Sequence, residues 1–327
     1  MIDRRSLAFF AVTAVLFGGT FVAAKAGLDY FPPLLFVAFR FDVAAVALAG
    51  YALLTASRED LLPRTRGDAV GILATGLLVI GAANALLFVG QQYATSAVGS
   101  IVFSLNPILT PVFAAVALSD ERLSARGSAG MLLGLVGVGL VVSPDPANLL
   151  GGGVVGKALL FAGATCGALG SVLIRRADGT LSSTVRTAWG LPFGALLCHL
   201  LSLSAGETTA AITWAPEAIV ALGYVGVFAG AVAYITYFSL IDEAGAIRAN
   251  LVFYVVPVVA TLGGWALLGE SISPLAIAGF LTIFSGFAVL GSESIDVRSA
   301  LPALLTDRAK SDGSLGDRRE LRGHESD

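Results

Sequence analysis

Apolar runs long enough to cross a lipid bilayer recur along almost the whole chain, and they limit its fold more than anything else in the sequence. A helix spanning the ~30 Å hydrocarbon layer needs about 20 mostly apolar residues. Such runs, each interrupted by charge, Pro or Gly, occur at Leu7–Ala24, Leu34–Leu54, Ala69–Gly90, Ala97–Leu118 and Ala129–Ser143. They continue at Val154–Ile174, Thr184–Leu203, Glu217–Leu240, Ala246–Gly269 and Leu275–Gly291. Lipid offers backbone N–H and C=O groups no partners, so segments of this length span it as helices. Composition agrees, with 13% of 327 residues charged and 56% hydrophobic. Soluble domains carry about twice that charge, so too few polar side chains remain to clothe a globule in water. Residues 293–327, by contrast, hold eight acids and six bases. The sequence predicts an all-α integral membrane protein of ten transmembrane helices with a disordered cytoplasmic tail.

Charge orients the spans. With the N-terminus in the cytoplasm, 17 of the 20 Lys and Arg fall in cytoplasmic segments. The other three, Lys25, Arg40 and Lys157, lie in or against spans near the outer side. This positive-inside bias predicts a multi-pass plasma-membrane protein with both termini cytoplasmic. It also favours retention of the first run, which Arg4, Arg5 and the small residues near Ala23–Ala24 make resemble a signal peptide.

Several function classes fall away. A net charge of −3 without a long basic run leaves no electrostatic footprint for nucleic acid. Two His, no HExxH and two Cys in apolar stretches (Cys166, Cys198) supply no metal or disulfide framework. GGGVVGKA (Gly151–Ala158) mimics a phosphate loop but ends in Ala instead of Ser or Thr, has no preceding strand and falls on the outer side. Neither a cofactor nor a metal is expected, and no catalytic cluster can be assembled.

The chain is also doubled. Pro107–Val142 and Pro257–Leu290 read alike, with Glu121 matching Glu270, Gly130 matching Gly279 and Gly137 matching Gly286 at an offset of 149, and the prolines at 150. Two halves follow, residues 1–145 and 146–292, before the tail at 293–327. Five spans per half is odd, so the second half enters the membrane inverted. Inverted repeats are a plan of secondary transporters, with substrate held near the midplane between the halves.

A proline followed by Glu and a Gly-spaced last helix closes each half. With FGGTFVAAKAG (Phe17–Gly27), FVAFRFDVAA (Phe36–Ala45) and the segment Ala233–Glu270, this pattern resembles the EamA-type drug/metabolite transporter superfamily over residues 5–292. The first half departs in its Pro-to-Glu spacing and in Asp120, where Gly is usual; both changes affect a cytoplasmic helix end. The resemblance implies a basket of ten helices around a cavity lined by the first four of each half. It places the fifth and tenth at the periphery, in contacts of a homodimer. It implies outward transport of small metabolites such as amino acids or related compounds. A passive channel or facilitator for small polar solutes is the alternative reading.

Polar side chains inside spans need partners or a function. The substrate-binding candidates are Thr20, Lys25, Arg40, Asn84, Gln91, Asn106, Trp189, Tyr234, Tyr237, Asn250 and Tyr254. Lys25 could instead snorkel to headgroups, Arg40 could be a structural anchor or gate, and Trp189 an interfacial anchor. Tyr234 and Tyr237, three apart, share a helix face. Asp42, the one carboxylate well inside a span, is the candidate proton-coupling residue. Two positions from Arg40 on one helix, it should find its partner on another. His199 reads as a hydrogen-bonded interface residue. Pro107, Pro111 and Pro257 lack an N–H and are the candidate kinks. Cysteines placed at positions 121 and 270 should react with membrane-impermeant reagent from opposite faces of intact cells; labelling from one face would refute the inverted repeat.

Overall fold

The computed structural model describes residues 4–117, 125–142, 152–244, 249 and 252–291. The expected boundary between the halves, Glu121, Asn250 and the tail lie outside these residues. Helix α1 is Arg4–Gly27 and α2 is Pro33–Thr55. Helix α3 joins Arg66–Leu73, a π-helical stretch Ala74–Ala82, and Ala83–Gln91. Helix α4 comprises Ser96–Phe103 and Asn106–Ala117, α5 is Ala125–Val142, α6 Gly152–Ala177 and α7 Ser183–Ser204. Helix α8 joins Pro216–Gly223, a second π-helical stretch Tyr224–Val232, and Ala233–Ala244. Helices α9 (Val252–Leu268) and α10 (Pro274–Gly291) follow. No strand occurs among the described residues. Among the described residues, α1 to α4 and α6 to α8 are seven helices long and apolar enough to cross a membrane. Helices α5, α9 and α10 contribute shorter apolar stretches, so the expected ten spans are met in seven cases.

Local chemistry sets several helix starts. Pro33 and Pro216 open α2 and α8, where a missing N–H costs nothing. Thr65 and Asp68 form a reciprocal capping box on α3. Thr95 and Ser182 accept from the backbone of Val98 and Val185 at the starts of α4 and α7.

Packing runs mainly between the two sequence halves. Helix α1 lies against α8 and α9, α2 against α7 and α8, α3 against α6 and α7, and α4 against α6 and α9. Two carboxylates fasten the weave at its ends. Asp68, 1% exposed, accepts from the backbone N–H of Thr180 (2.6 Å) and Leu181 (3.0 Å) between α6 and α7. Glu207, after α7, accepts from Leu34 (3.1 Å) and Leu35 (2.7 Å) at the start of α2 and from Ser202 (2.9 Å). Each satisfies orphan donors of a helix end or turn and places negative charge where the helix dipole favours it. Both cysteines are free thiols.

The last helices of the halves, α5 and α10, pack on each other within one chain. The repeat-matched glycines meet crosswise: a Cβ on Gly286 would stand 2.5 Å from the Gly130 carbonyl, and one on Gly137 2.7 Å from that of Gly279. Without a hydrophobic driving force between helices in lipid, such close backbone approach supplies the attraction. Gly286→Leu must force the backbones apart, and should lower stability by about 1–3 kcal/mol, read as an earlier denaturation midpoint of purified protein in detergent; an unchanged midpoint would contradict this packing.

Candidate functional site

An arginine at the centre of a membrane helix costs ~2.5–3.5 kcal/mol to insert, so its surroundings define what it is for. Arg40, on α2, is 3% exposed. Its guanidinium lies over the rings of Phe41 and Phe88, 4.8 and 5.4 Å from their centroids, a favourable placement for a cation. Nη1 donates to Asn84 Oδ1 at 3.3 Å, while Nε is buried without a hydrogen-bond partner.

The π-helical stretch of α3 explains why Asn84 presents its oxygen. Widened turns leave carbonyls off the regular ladder, and Asn84 Nδ2 donates to those of Val79 (3.3 Å) and Ile80 (2.8 Å). With its amide nitrogen committed to backbone, the acceptor end of the side chain remains for Arg40. The second π-helical stretch, at Tyr224–Val232, begins and ends 150 positions after the first, at Ala74–Ala82. Tyr234 stands 150 positions after Asn84, and it is close enough to Arg40 to interact electrostatically. Equivalent positions of the two halves therefore both lie near one buried cation.

Aromatic rings continue the site. Phe17 of α1 meets Tyr234 and Tyr237 of α8 edge-on, with centroids 5.5 and 5.8 Å apart, and stacks on Phe253 of α9 at 6.0 Å. Tyr237 closes the ring onto Phe253 at 5.6 Å. All four are half-buried. Phe103 on α4, the repeat counterpart of Phe253, lies edge-on to Phe21 at 6.1 Å. Asn106 abuts α6, where a Cβ on Gly167 would stand 2.5 Å from its Nδ2. Guanidinium, amide and phenol groups beside aromatic faces offer hydrogen bonds to the polar end of an organic solute and flat surfaces to its apolar part.

Of the residues singled out in the sequence, the structure brings Arg40, Asn84, Tyr234 and Tyr237 together, with Asn106 on the α4–α6 contact. Thr20 donates within its own helix to Leu16 O (3.1 Å). Lys25 donates to the carbonyls of Gln91 (2.7 Å) and Gln92 (3.4 Å), neutralising the C-terminal end of α3. Gln91 is fully buried and donates to Phe21 O (3.0 Å), so Lys25 and Gln91 tie α1 to α3. Trp189 is exposed and donates to Leu61 O (2.7 Å), which anchors the α2–α3 connection outside the site. Tyr254 packs edge-on against Phe284 of α10 at 5.0 Å. Asp42 pairs with His199 at 2.9 Å on the exposed flank of α2 and α7, two helix positions round from Arg40. Helix α4 breaks at Ser104–Leu105, just before Asn106 and Pro107, whereas Pro111 and Pro257 sit inside helices that continue past them.

Sequence reasoning missed Phe17, Phe103 and Phe253, which look like ordinary apolar residues, and both π-helical stretches. The 150-residue spacing that links Asn84 to Tyr234 and Phe103 to Phe253 was the available signal. Glu270, which the sequence suggests as a residue that caps or terminates a helix, accepts from Ser96 N with both carboxylate oxygens, at 3.1 and 3.0 Å, and so joins the end of α9 to the start of α4.

The chain belongs to the EamA-like transporter family, which it matches over residues 4–143 and 154–292. It is a multi-pass membrane transporter. Among similar proteins, the uncharacterized transporter YyaM of Bacillus subtilis is 28% identical over 277 residues, 84% of this chain and 89% of that one. The uncharacterized inner membrane transporter YedA of Escherichia coli is 27% identical over 263 residues, 80% and 82% of the two chains. A crystal structure superposes with a TM-score of 0.62 at 22% identity, covering 89% of this chain and 98% of the other, and shares the fold.

Asn84→Leu frees two buried carbonyls and removes the acceptor of Arg40. Stability should fall by about 1–3 kcal/mol, with Asn84→Asp, which retains an acceptor for Arg40, closer to wild type; equal melting temperatures for all three proteins would show that the amide holds neither group.

Proposed function

We propose that the chain is a secondary carrier of a small organic metabolite, such as an amino acid or related compound, working by alternating access in the outward direction. In this reading ten spans form two inverted halves with both termini in the cytoplasm. The observation that supports it is the pair of π-helical stretches 150 residues apart, each followed by a polar residue, Asn84 in one half and Tyr234 in the other, near Arg40. π-Helical turns in transmembrane helices concentrate at functional sites because they free backbone groups and permit local rearrangement.

Contacts that join the halves at the helix ends are suited to making and breaking as the bundle rocks. Glu270 to the start of α4 is one, and the Arg5–Glu243 ion pair (2.9 Å) between α1 and α8 is another. On the charge-derived orientation they lie on opposite sides of the membrane, so each belongs to a different closed end. Asp42, with His199, is the proposed proton-coupling group; the pair acts through the α2–α7 contact, since it lies off the aromatic site. The outward apolar faces of α5 and α10, with Leu132, Val136 and Leu281 exposed, are the proposed surface for lipid or a second copy.

Counterflow in proteoliposomes tests the carrier reading. Liposomes preloaded with an unlabelled metabolite should transiently accumulate its labelled form above the equilibrium level, because a site that alternates exchanges one molecule for another. Non-saturable flux without trans-stimulation would support the channel instead.

A further inference from the structure

Arg40 is the one buried side chain near the aromatic ring whose charge has no opposite charge beside it among the described residues. Asp42, the acid closest in sequence, is turned away and held by His199 at 2.9 Å. The neutral groups around Arg40 only partly serve it: Nη1 reaches Asn84 at a long 3.3 Å, the faces of Phe41 and Phe88 cradle the plane, and Nε is buried with no partner. A guanidinium grips a carboxylate through two parallel N–H donors. With Nη1 turned to Asn84, the Nε edge is the one left to do so. Lys25, by contrast, has two carbonyl acceptors at the end of α3. Here the stacked rings fix the plane of the group while leaving an edge unused, the arrangement expected of a recognition residue.

We propose that Arg40 receives the carboxylate of the transported solute and that the rings of Phe17, Tyr234, Tyr237 and Phe253 hold its apolar remainder. The substrates are then small organic carboxylates carrying an apolar group, in preference to amines and neutral polar solutes. A single guanidinium balances a single negative charge, which favours a carboxylate over a phosphate dianion. Lys25, a potential second cation, is occupied at the far end of α1. The inference rests on the carrier reading of this site and adds the charge of what enters it.

Three probes that share one skeleton test it: phenylacetate, phenylacetamide and phenethylammonium, each titrated against purified protein in detergent by thermal shift and by tryptophan fluorescence. Phenylacetate should bind about tenfold or more tightly than the other two. Arg40→Gln should lose that preference, and Arg40→Lys should keep part of it, since it retains charge without the fork. The wild-type ranking alone is decisive if Arg40→Gln does not fold. Equal affinity for acid and amide, preference for the ammonium, or no stabilisation by any of the three would overturn the proposal. Carboxylate binding that is lost in Arg40→Gln but comes without counterflow would refute the carrier reading and leave Arg40 as a carboxylate-recognition residue. Counterflow of a neutral or cationic solute that is unaffected in Arg40→Gln would do the reverse.

Discussion

Hydrocarbon supplies no hydrogen bonds, and in this chain that scarcity decides where nearly every polar group goes. Asp68, Glu207 and Glu270 each sit on backbone N–H groups at helix starts or turns, where the peptide itself stands in for water. Lys25 does the same with carbonyls at a helix end. Thr and Ser hydroxyls inside spans turn back to the carbonyl three or four residues before them, as Thr110, Thr165 and Ser171 do. These are local solutions, and each is complete within one or two helices. Arg40 differs from these: it is buried beside aromatic faces and an amide without a carboxylate. Burial of an arginine without a carboxylate beside it is the feature on which its proposed recognition role rests.

The halves are intertwined instead of side by side. Because α1 to α4 pack largely on helices of the second half, a change in their relative tilt has to slide several interfaces at once. Glycine contacts between backbones, as between α5 and α10, make smooth surfaces for such sliding. The carboxylate caps and the Arg5–Glu243 pair lie at the ends of the weave, where a small rotation at the centre becomes the largest displacement.

Much of this was legible in the residues. Apolar runs of the right length foretold the helical membrane architecture because lipid leaves few alternatives, and the doubled Pro–Glu–Gly pattern foretold the family. Arg40, Asn84, Tyr234 and Tyr237 stood out because polar groups in apolar runs are costly. The rest was hidden for physical reasons. A π-helical turn differs from an α-turn by one hydrogen-bond step, and ATGLLVIGA carries no residue that demands it. Phe17 and Phe253 are apolar wherever they sit, so only tertiary placement separates a site wall from core. Trp189 and Tyr254 lie apart from this group: Trp189 holds a loop carbonyl, in keeping with the anchor alternative, and Tyr254 packs on α10.

The repeat position matching Arg40 is Gly190, 150 residues on, and it is walled in. A Cβ there would lie 3.0 Å from the Thr75 methyl and 3.2 Å from the Gly76 nitrogen. No duplicate cation fits, so the molecule is twofold in shape but electrically lopsided. In an energised cell that lopsidedness couples to voltage. On the proposed role of Arg40, a shift of its charge along the field as the helices tilt would be weighted at about 2.3 kcal/mol per full traverse at 100 mV, and an arriving carboxylate would cancel that charge. The empty and loaded forms of such a carrier would then feel the resting potential differently, an asymmetry that two identical halves could not provide.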